Sequence, residues 1–455
     1  MAAQGKKVTI VGMGRTAVAA ARLLQALGAK PFVTDAASAE MLAAGRAALD
    51  ELGVAYECGG HTEAAFADAA LVVLSPGVPP NLPILARVRE AGIGVLSELE
   101  LAYHYCHSPI IAVTGTNGKT TTTELLRCLI AACGHSVVLA GNNETPFSEA
   151  VMVNPPPEYM VLEVSSYQLE SAVRFRPWLA AVLNVTPDHL ERHGSVEGYA
   201  GVKGRIFQAQ GEGDIAIVNE DDDWAVDMGV PDGVEIWSFS QRECPPHGLW
   251  LSGDLICSGS KAVARRSDIP LLGRHNVENG LAALTMMCAG GFDWDKVLDG
   301  LRSFRGVEHR IEPVAALDGV DFYNDSKSTN VHSLRAALES FDRPVVLIAG
   351  GRGKGGDYGE LRDLVRQRVK MLVVMGEDAP AIEAAFSGVA PLSWAADMAE
   401  AVGLAARAAT RGDVVLLSPG CASFDMYENF EHRGRDFREH VRRYLQQGKE
   451  KAART

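Results

Sequence analysis

Apolar residues in this chain fall into short uninterrupted runs closed by glycine, proline or an acid, with Ala/Leu-rich or mixed stretches between them. Runs of that length, set between helix-like segments, read as strands buried on both faces. Lys7-Val-Thr-Ile-Val-Gly12 is such a strand, Gly12-Met-Gly14-Arg15-Thr16-Ala17 is a tight turn, and the following stretch to about Leu27 is a helix. This is a βα opening of the dinucleotide-binding type. A second strand ends at Asp35, and a third apolar run, Leu71 to Leu74, is broken by Ser75-Pro-Gly77. Parallel βαβ units are the economical reading. A second alternation has apolar runs at 110–114, 159–162, 180–184 and 214–218. A third begins after Arg305-Gly306, with runs Pro344 to Ala349, Lys370 to Met375 and Asp413 to Leu417 and a helix-like segment from Gly359 to Arg368.

The run at 110–114 leads into Gly115-Thr116-Asn117-Gly118-Lys119-Thr120-Thr121. A strand, a glycine-rich turn and a Lys-Thr helix start make a phosphate-binding loop. Backbone N–H groups point at phosphate oxygens, Lys119 reaches a terminal phosphate, and the Thr120 hydroxyl ligates Mg²⁺. The ligand implied is ATP. The first glycine of the common pattern would fall at Val113, and Gly115 lies inside the turn instead. A glycine turn that merely caps a helix is the bland alternative. Glu163 ends the apolar run at 159–162, the place from which nucleotide-binding folds reach the metal on the phosphates. Arg310, after Gly306-Val-Glu-His309, is placed to meet phosphate charge across a domain boundary. The expected fold class is therefore α/β in three domains with clefts between them. They are a Rossmann-like N-terminal domain over 1–98, a central P-loop ATPase-type domain over 99–306 and a Rossmann-like C-terminal domain over 307–455.

Length and charge narrow the partners. At 455 residues the chain exceeds one core. A formal net charge of −14 offers no basic face for a nucleic-acid backbone, so nucleic acid is not an expected partner. No apolar stretch approaches the roughly eighteen residues that span a bilayer, so no membrane role is expected. MAAQGKK leads directly into a strand, and a cytoplasmic monomer is expected. Eight scattered cysteines without a Cys-x-x-Cys pair fit reduced thiols.

Thr114-Gly-Thr-Asn-Gly-Lys-Thr-Thr121 resembles the shortened loop of the Mur ligases and of the folylpolyglutamate synthetases, which use ATP to join an amino acid to a carboxylate. Six further segments resemble the Mur ligases. In Asn184-Val-Thr-Pro-Asp188-His189 and Gly201-Val-Lys203-Gly, the resemblance implies that His189 helps hold a second metal and that Lys203 carries a carbamate; His189 also orients the incoming amine or takes its proton. In Gly273-Arg-His275-Asn276-Val-Glu-Asn279 the two asparagines would contact adenine. Tyr323-Asn-Asp325-Ser-Lys327-Ser-Thr329-Asn330 resembles the signature of the branch that adds D-glutamate, and Asp325 and Lys327 join the ATP set. Gly350-Gly-Arg-Gly-Lys354 and Leu417-Ser-Pro-Gly-Cys-Ala-Ser423 through Phe430 to Gly434 match the same branch. His189, Thr329, Lys354, Ser423 and Phe430 would then hold D-glutamate. The other substrate would be UDP-N-acetylmuramoyl-L-alanine, held by Gly14, Arg15, Thr16, Asp35, Ser75, Gly77 and Asn142. The implied activity is ATP-dependent amide formation through an acyl phosphate, in peptidoglycan precursor synthesis. Two Mg²⁺ ions would be held by Thr120, Glu163, His189 and carbamylated Lys203, with Lys119, His189 and Lys203 as the catalytic set.

The chain departs from the family at Asn143-Glu144, where Ile-Gly is more usual, and at Ala36-Ala37, where some relatives carry Thr-Arg. Three alternatives compete. Gly12-x-Gly14-x-x-Ala17 with Asp35 also suits an NAD-dependent oxidoreductase. A nucleotide-dependent switch needs only the phosphate loop. A folylpolyglutamate synthetase-type ligase shares that loop, but Asp325 to Asn330 and the Rossmann-like opening count against it.

Overall fold

The computed structural model describes residues 4–143, 145–353 and 355–452. Glu144 and Lys354, both singled out in the sequence, lie outside the described residues. The chain divides into two compact units, Met1–Ile269 with Val277–Phe304, and Pro270–Asn276 with Arg305–Thr455.

The first unit holds two sheets. Five parallel strands, β1 (Lys7–Val11), β2 (Lys30–Asp35), β3 (Ala55–Cys58), β4 (Ala69–Leu74) and β5 (Gly94–Ser97), run in the order β3-β2-β1-β4-β5. Strand order reverses between β1 and β4, so the turns at Gly12 and Ser75 open side by side at the carboxyl edge, where such sheets bind ligands. Ala17, Ala20, Ala21 and Leu24 of the helix Arg15–Ala26 pack with Val8, Ile10, Val33 and Val73. Small side chains on that face let the helix lie close to the strands.

The second sheet has β6 (Ile110–Thr114), β7 (Val137–Gly141), β8 (Tyr159–Glu163), β9 (Leu179–Val182), β10 (Ile215–Asn219), β11 (Glu235–Ser240), β12 (Gly248–Ser252), β13 (Leu255–Ser258) and β14 (Lys261–Arg265). The order is β14-β13-β12-β11-β10-β9-β6-β8-β7. Every residue of β6 is buried, as its unbroken apolar run requires, and it lies between β8 and β9. Two features differ from expectation. β3, β5 and β7 are strands that the sequence pattern left unmarked, being short and only partly buried. The sheet is also not wholly parallel, because Gly253 (φ +61°) turns β12 back into β13, and β13 and β14 pair antiparallel.

In the second unit, β15 (Glu312–Leu317), β16 (Val320–Asn324), β17 (Val345–Gly350), β18 (Val369–Met375), β19 (Leu392–Trp394) and β20 (Val414–Leu417) lie in the order β15-β16-β20-β17-β18-β19. All pairs are parallel except β15 with β16. A separate apolar core fills each face of this sheet.

Buried carboxylates fasten the two sheets of the first unit together. The helix Glu98–Tyr103 follows β5, and Glu100 Oε1 accepts the backbone N–H groups of Val173, Arg174 and Phe175 at 2.7, 2.8 and 2.7 Å. Glu98 Oε1 accepts from Ser148 N at 2.6 Å, and burial pushes its carboxyl above the usual range. Glu100 is 1% exposed, so its removal leaves three donors short of an acceptor. Each such group costs about 1–3 kcal/mol. Glu100→Ala is therefore expected to lower the stability of this unit by about 3 kcal/mol, with Glu100→Gln, which keeps a carbonyl acceptor, losing less. Urea unfolding followed by tryptophan fluorescence measures both, and equal stability of Glu100→Ala and the parent would show that water satisfies the three N–H groups.

Candidate active site

The phosphate loop owes its path to two glycines. Gly115 has φ +156° and Gly118 φ +85°, and a Cβ at Gly118 would be driven into Asn279 Oδ1. Asn184 supports the loop from the next strand end: its carbonyl accepts from Thr116 N and its Oδ1 from Asn117 N, both at 2.9 Å. Glu278 Oε1 accepts from Asn184 Nδ2 at 3.0 Å and so fixes the amide. Lys119 opens the fourteen-residue helix Lys119–Ala132, with Thr120 in its first turn, and its Nζ donates to Gly115 O and Thr116 O, both at 2.9 Å.

Lys203 approaches the same loop from the helix Val196–Gly204. It is 1% exposed, its Nζ donates to Gly115 O at 2.8 Å, and it lies 4.3 Å from the centre of the Tyr199 ring. Burial, helped by the Lys119 charge and opposed by Asp188, lowers its pKa to about 6. At neutral pH the amine is mostly uncharged and nucleophilic. Glu163, at the end of β8, pairs in register with Val113. Asn142 Nδ2 donates to its Oε1 at 2.9 Å, whereas Oε2 is buried without a protein partner. A buried carboxylate oxygen left open beside a phosphate loop suits a cation, and its oxygen chemistry suits Mg²⁺. Among the described residues no three His, Cys, Asp or Glu side chains are already gathered as a metal site. The sequence-derived set reaches four donors only by counting Thr120 and a modified Lys203 beside Glu163 and His189. His189 has φ +51° and its ring centre is 5.0 Å from that of Tyr167.

At the switch point of the first sheet lies a cavity of about 560 Å³. Gly14, Thr16, Asp35, Ser75, Gly77 and Asn142, all expected on the UDP-sugar, line it, and Arg15 does not. Asp35 also shapes the first turn, accepting from Met13 N at 2.8 Å and Ala37 N at 2.9 Å. Sequence reasoning missed Gln168 on the cavity wall and the ion pair beside it, in which Arg192 Nη2 meets Glu170 Oε2 at 2.6 Å and also donates to Val78 O at 3.1 Å. A larger cleft of about 760 Å³ lies behind the Lys203 helix, lined by Glu197, Gly201, Trp224 and Met228. It holds none of the expected residues, so size does not mark the site.

In the second unit Arg433 organises the loops that carry the signature residues. Its buried guanidinium donates to Ser326 Oγ at 3.0 Å, Ser326 O at 2.9 Å, Cys421 O at 3.0 Å and Ala422 O at 3.3 Å. Burial lowers its pKa to about 10, and it stays charged. Ser326 Oγ in turn donates to Phe430 O at 2.8 Å. The structure thus gathers Asp325, Lys327, Ser423 and Phe430 around one cation; Thr329 precedes Asn330, which caps the helix Val331–Glu339. Asp325 accepts from Ile311 N at 3.2 Å and Ser418 Oγ at 2.8 Å, and burial raises its pKa to about 7 against the pull of Arg310. Asn276 Nδ2 donates to Leu272 O at 2.7 Å, and both Asn276 and Asn279 are buried. Arg433 falls within the stretch from Phe430 to Gly434 matched above, but its anchoring role shows only once the segments after β16 and β20 converge on it.

A phosphate loop with a buried acid on the adjacent strand, on a central sheet flanked in sequence by two Rossmann-like sheets, marks a nucleotide-binding protein of the P-loop class. The comparisons give the family. Models described as "Mur ligase MurD-like, N-terminal domain", "Mur ligase middle domain" and "Mur ligase, glutamate ligase domain" match residues 6–97, 113–287 and 309–421. The chain is 42% identical over 453 residues to the UDP-N-acetylmuramoylalanine–D-glutamate ligase of Koribacter versatilis, covering 99% of this chain and 100% of that one. It is 44% identical to the enzyme of the same name from Salinibacter ruber, covering 96% and 98%. The chain belongs to the Mur ligase family. Its fold resembles the UDP-N-acetylmuramate-alanine ligase of Thermotoga maritima (TM-score 0.60, 19% identity, 97% and 99% covered) and the MurF ligase of Thermotoga maritima in complex with ADP (0.58, 19%, 91% and 96%). Family membership along the whole chain leaves the oxidoreductase and switch alternatives without support.

The fit between Gly118 and Asn279 gives a direct check on the nucleotide site. Gly118→Ala meets both an unfavourable backbone angle and a collision, and it is expected to weaken ADP binding at least about tenfold while leaving UDP binding unchanged. Calorimetric titration of each nucleotide measures this, and unaltered ADP affinity would detach the loop from ATP.

Proposed function

We propose that the chain is a cytoplasmic, monomeric ATP-dependent ligase that adds D-glutamate to UDP-N-acetylmuramoyl-L-alanine. The observation that carries this reading is a buried, open carboxylate oxygen on Glu163, on the strand beside the phosphate loop, together with a buried Lys203 whose amine reaches that loop. The near full-length identity of 42–44% to D-glutamate ligases supports the choice of substrates.

The chain's own groups account for the steps as follows. Backbone N–H groups of Gly115–Thr121 hold the triphosphate, and Lys119 turns from the loop carbonyls to the transferred phosphoryl group. The alanyl carboxylate oxygen bonds to the γ-phosphorus as the bond to the β-phosphate oxygen breaks, giving an acyl phosphate and ADP. The neutral amine of D-glutamate then bonds to the acyl carbon, phosphate leaves with its electron pair, and His189 orients the amine or takes its proton. Two Mg²⁺ ions, when bound, offset repulsion between carboxylate and triphosphate. Thr120, Glu163, His189 and Lys203 would hold them. A neutral Lys203 amine adds to CO₂ and releases one proton, which turns a would-be cation into an oxygen ligand. Asn276 and Asn279 serve adenine, and Arg310, Asp325 and Lys327 serve the phosphates. Thr329, Lys354, Ser423 and Phe430 serve the two carboxylates of D-glutamate.

Lys203→Ala is expected to lose about 100-fold in kcat, with partial rescue by a short carboxylic acid in solution. Because carbamate forms from the neutral amine, parent activity should fall as pH drops through about 6, the pKa of Lys203. Loss of a carbamate ¹³C signal from labelled bicarbonate in Lys203→Ala checks the modification directly; wild-type protein without that signal would refute it. Lys354→Ala is expected to raise KM for D-glutamate far more than KM for the UDP-sugar in a phosphate-release assay. Equal increases would assign Lys354 to ATP instead.

A further inference from the structure

We propose that His61 reads the nucleoside in the switch-point cavity, its Nε2 accepting a hydrogen bond from an N–H or O–H of the bound uridine. This rests on the reading of that cavity as the UDP-sugar site, and it adds a residue outside the set derived from sequence. The turn after β3, Gly59-Gly60-His61, runs through positive φ at both glycines (+81° and +155°) and brings His61 onto the cavity wall beside Ala36.

The neighbours of His61 fix its tautomer. Thr34 Oγ1, fully buried, lies 2.8 Å from Glu57 Oε1, 2.9 Å from His61 Nδ1 and 3.3 Å from Gly60 O. Burial opposes the Glu57 charge, but hydrogen bonds from Thr62 and Thr34 outweigh it and hold the carboxyl below its usual range. Glu57 is therefore an acceptor only, and the single Thr34 hydroxyl proton goes to it. The Thr34 oxygen is left to accept, so Nδ1 of His61 carries the proton and donates. In the neutral ring Nε2 is then a bare acceptor, and no described residue hydrogen-bonds to it.

Several other polar groups on the cavity wall are already engaged. Both Asp35 oxygens already accept backbone N–H groups. Asn142 Nδ2 is given to Glu163, and Gln168 Oε1 to Ser165. Ala36, the residue after β2, contributes only a methyl side chain. An acceptor in this place selects a donor on the ligand. Uridine offers two, the uracil N3–H and the ribose hydroxyls, whereas cytosine presents a lone pair at N3.

Calorimetry with UDP, N3-methylated UDP and 2′-deoxy UDP tests the assignment on the full chain, with ADP binding as the check that the unit is folded. His61→Ala is expected to weaken UDP about tenfold and leave ADP unchanged. One analogue should also bind the parent about tenfold more weakly than UDP, and His61→Ala should no longer distinguish it from UDP. Loss on N3 methylation assigns the base, and loss on 2′-deoxygenation assigns the ribose. Equal UDP affinity of the parent and His61→Ala, or an analogue penalty that survives in His61→Ala, would overturn the role of His61. Failure of the parent itself to bind UDP would instead overturn the reading of the cavity.

Discussion

Two lysine side chains converge on one carbonyl oxygen, Gly115 O, with Nζ atoms at 2.9 and 2.8 Å. Both cannot be ammonium ions at low cost in a buried place, since like charges repel and the low dielectric weakens no part of that repulsion. Lys119, at the start of the loop's helix, is only half-buried. Lys203, enclosed behind it, gives up its proton. The glycines that let the loop carbonyl face both amines, the Asn184 amide that steadies the loop and the open oxygen of Glu163 all take their meaning from this division of labour.

The second unit solves the opposite problem. The segments after β16 and β20 leave carbonyls of Ser326, Cys421 and Ala422 facing inward, and a guanidinium with five fixed donors satisfies them while remaining charged. An ammonium, a compact point charge with three donors, could not span the carbonyls in the same way. Choice of cation thus separates a group meant to become neutral from one meant to remain a fixed post.

Much of this was legible in the sequence where chemistry is local. The phosphate loop, the strand that feeds it and the acid at the end of β8 follow from short motifs, because strand, turn and helix start are contiguous. The β12–β14 hairpin was not legible, since its strands are short and its turn carries only one strong signal, Gly253. His61, Arg192 and Arg433 were hidden for a different reason: each acts on backbone or side chains far away in sequence, Arg433 on Ser326 across 107 positions. Lys203 looked like a surface lysine by residue type, and only burial reveals why its proton is weakly held.

The carboxylate of Glu100, closed over three amides, has a consequence for inheritance. It binds the end of the first sheet's segment to the second sheet, as does Arg192 reaching Val78, so the switch-point cavity draws its walls from two sheets already joined. A recombination crossover between β5 and β6 would separate the acid from its amides and split the cavity at once. The first two sheets are therefore expected to descend together as one heritable block.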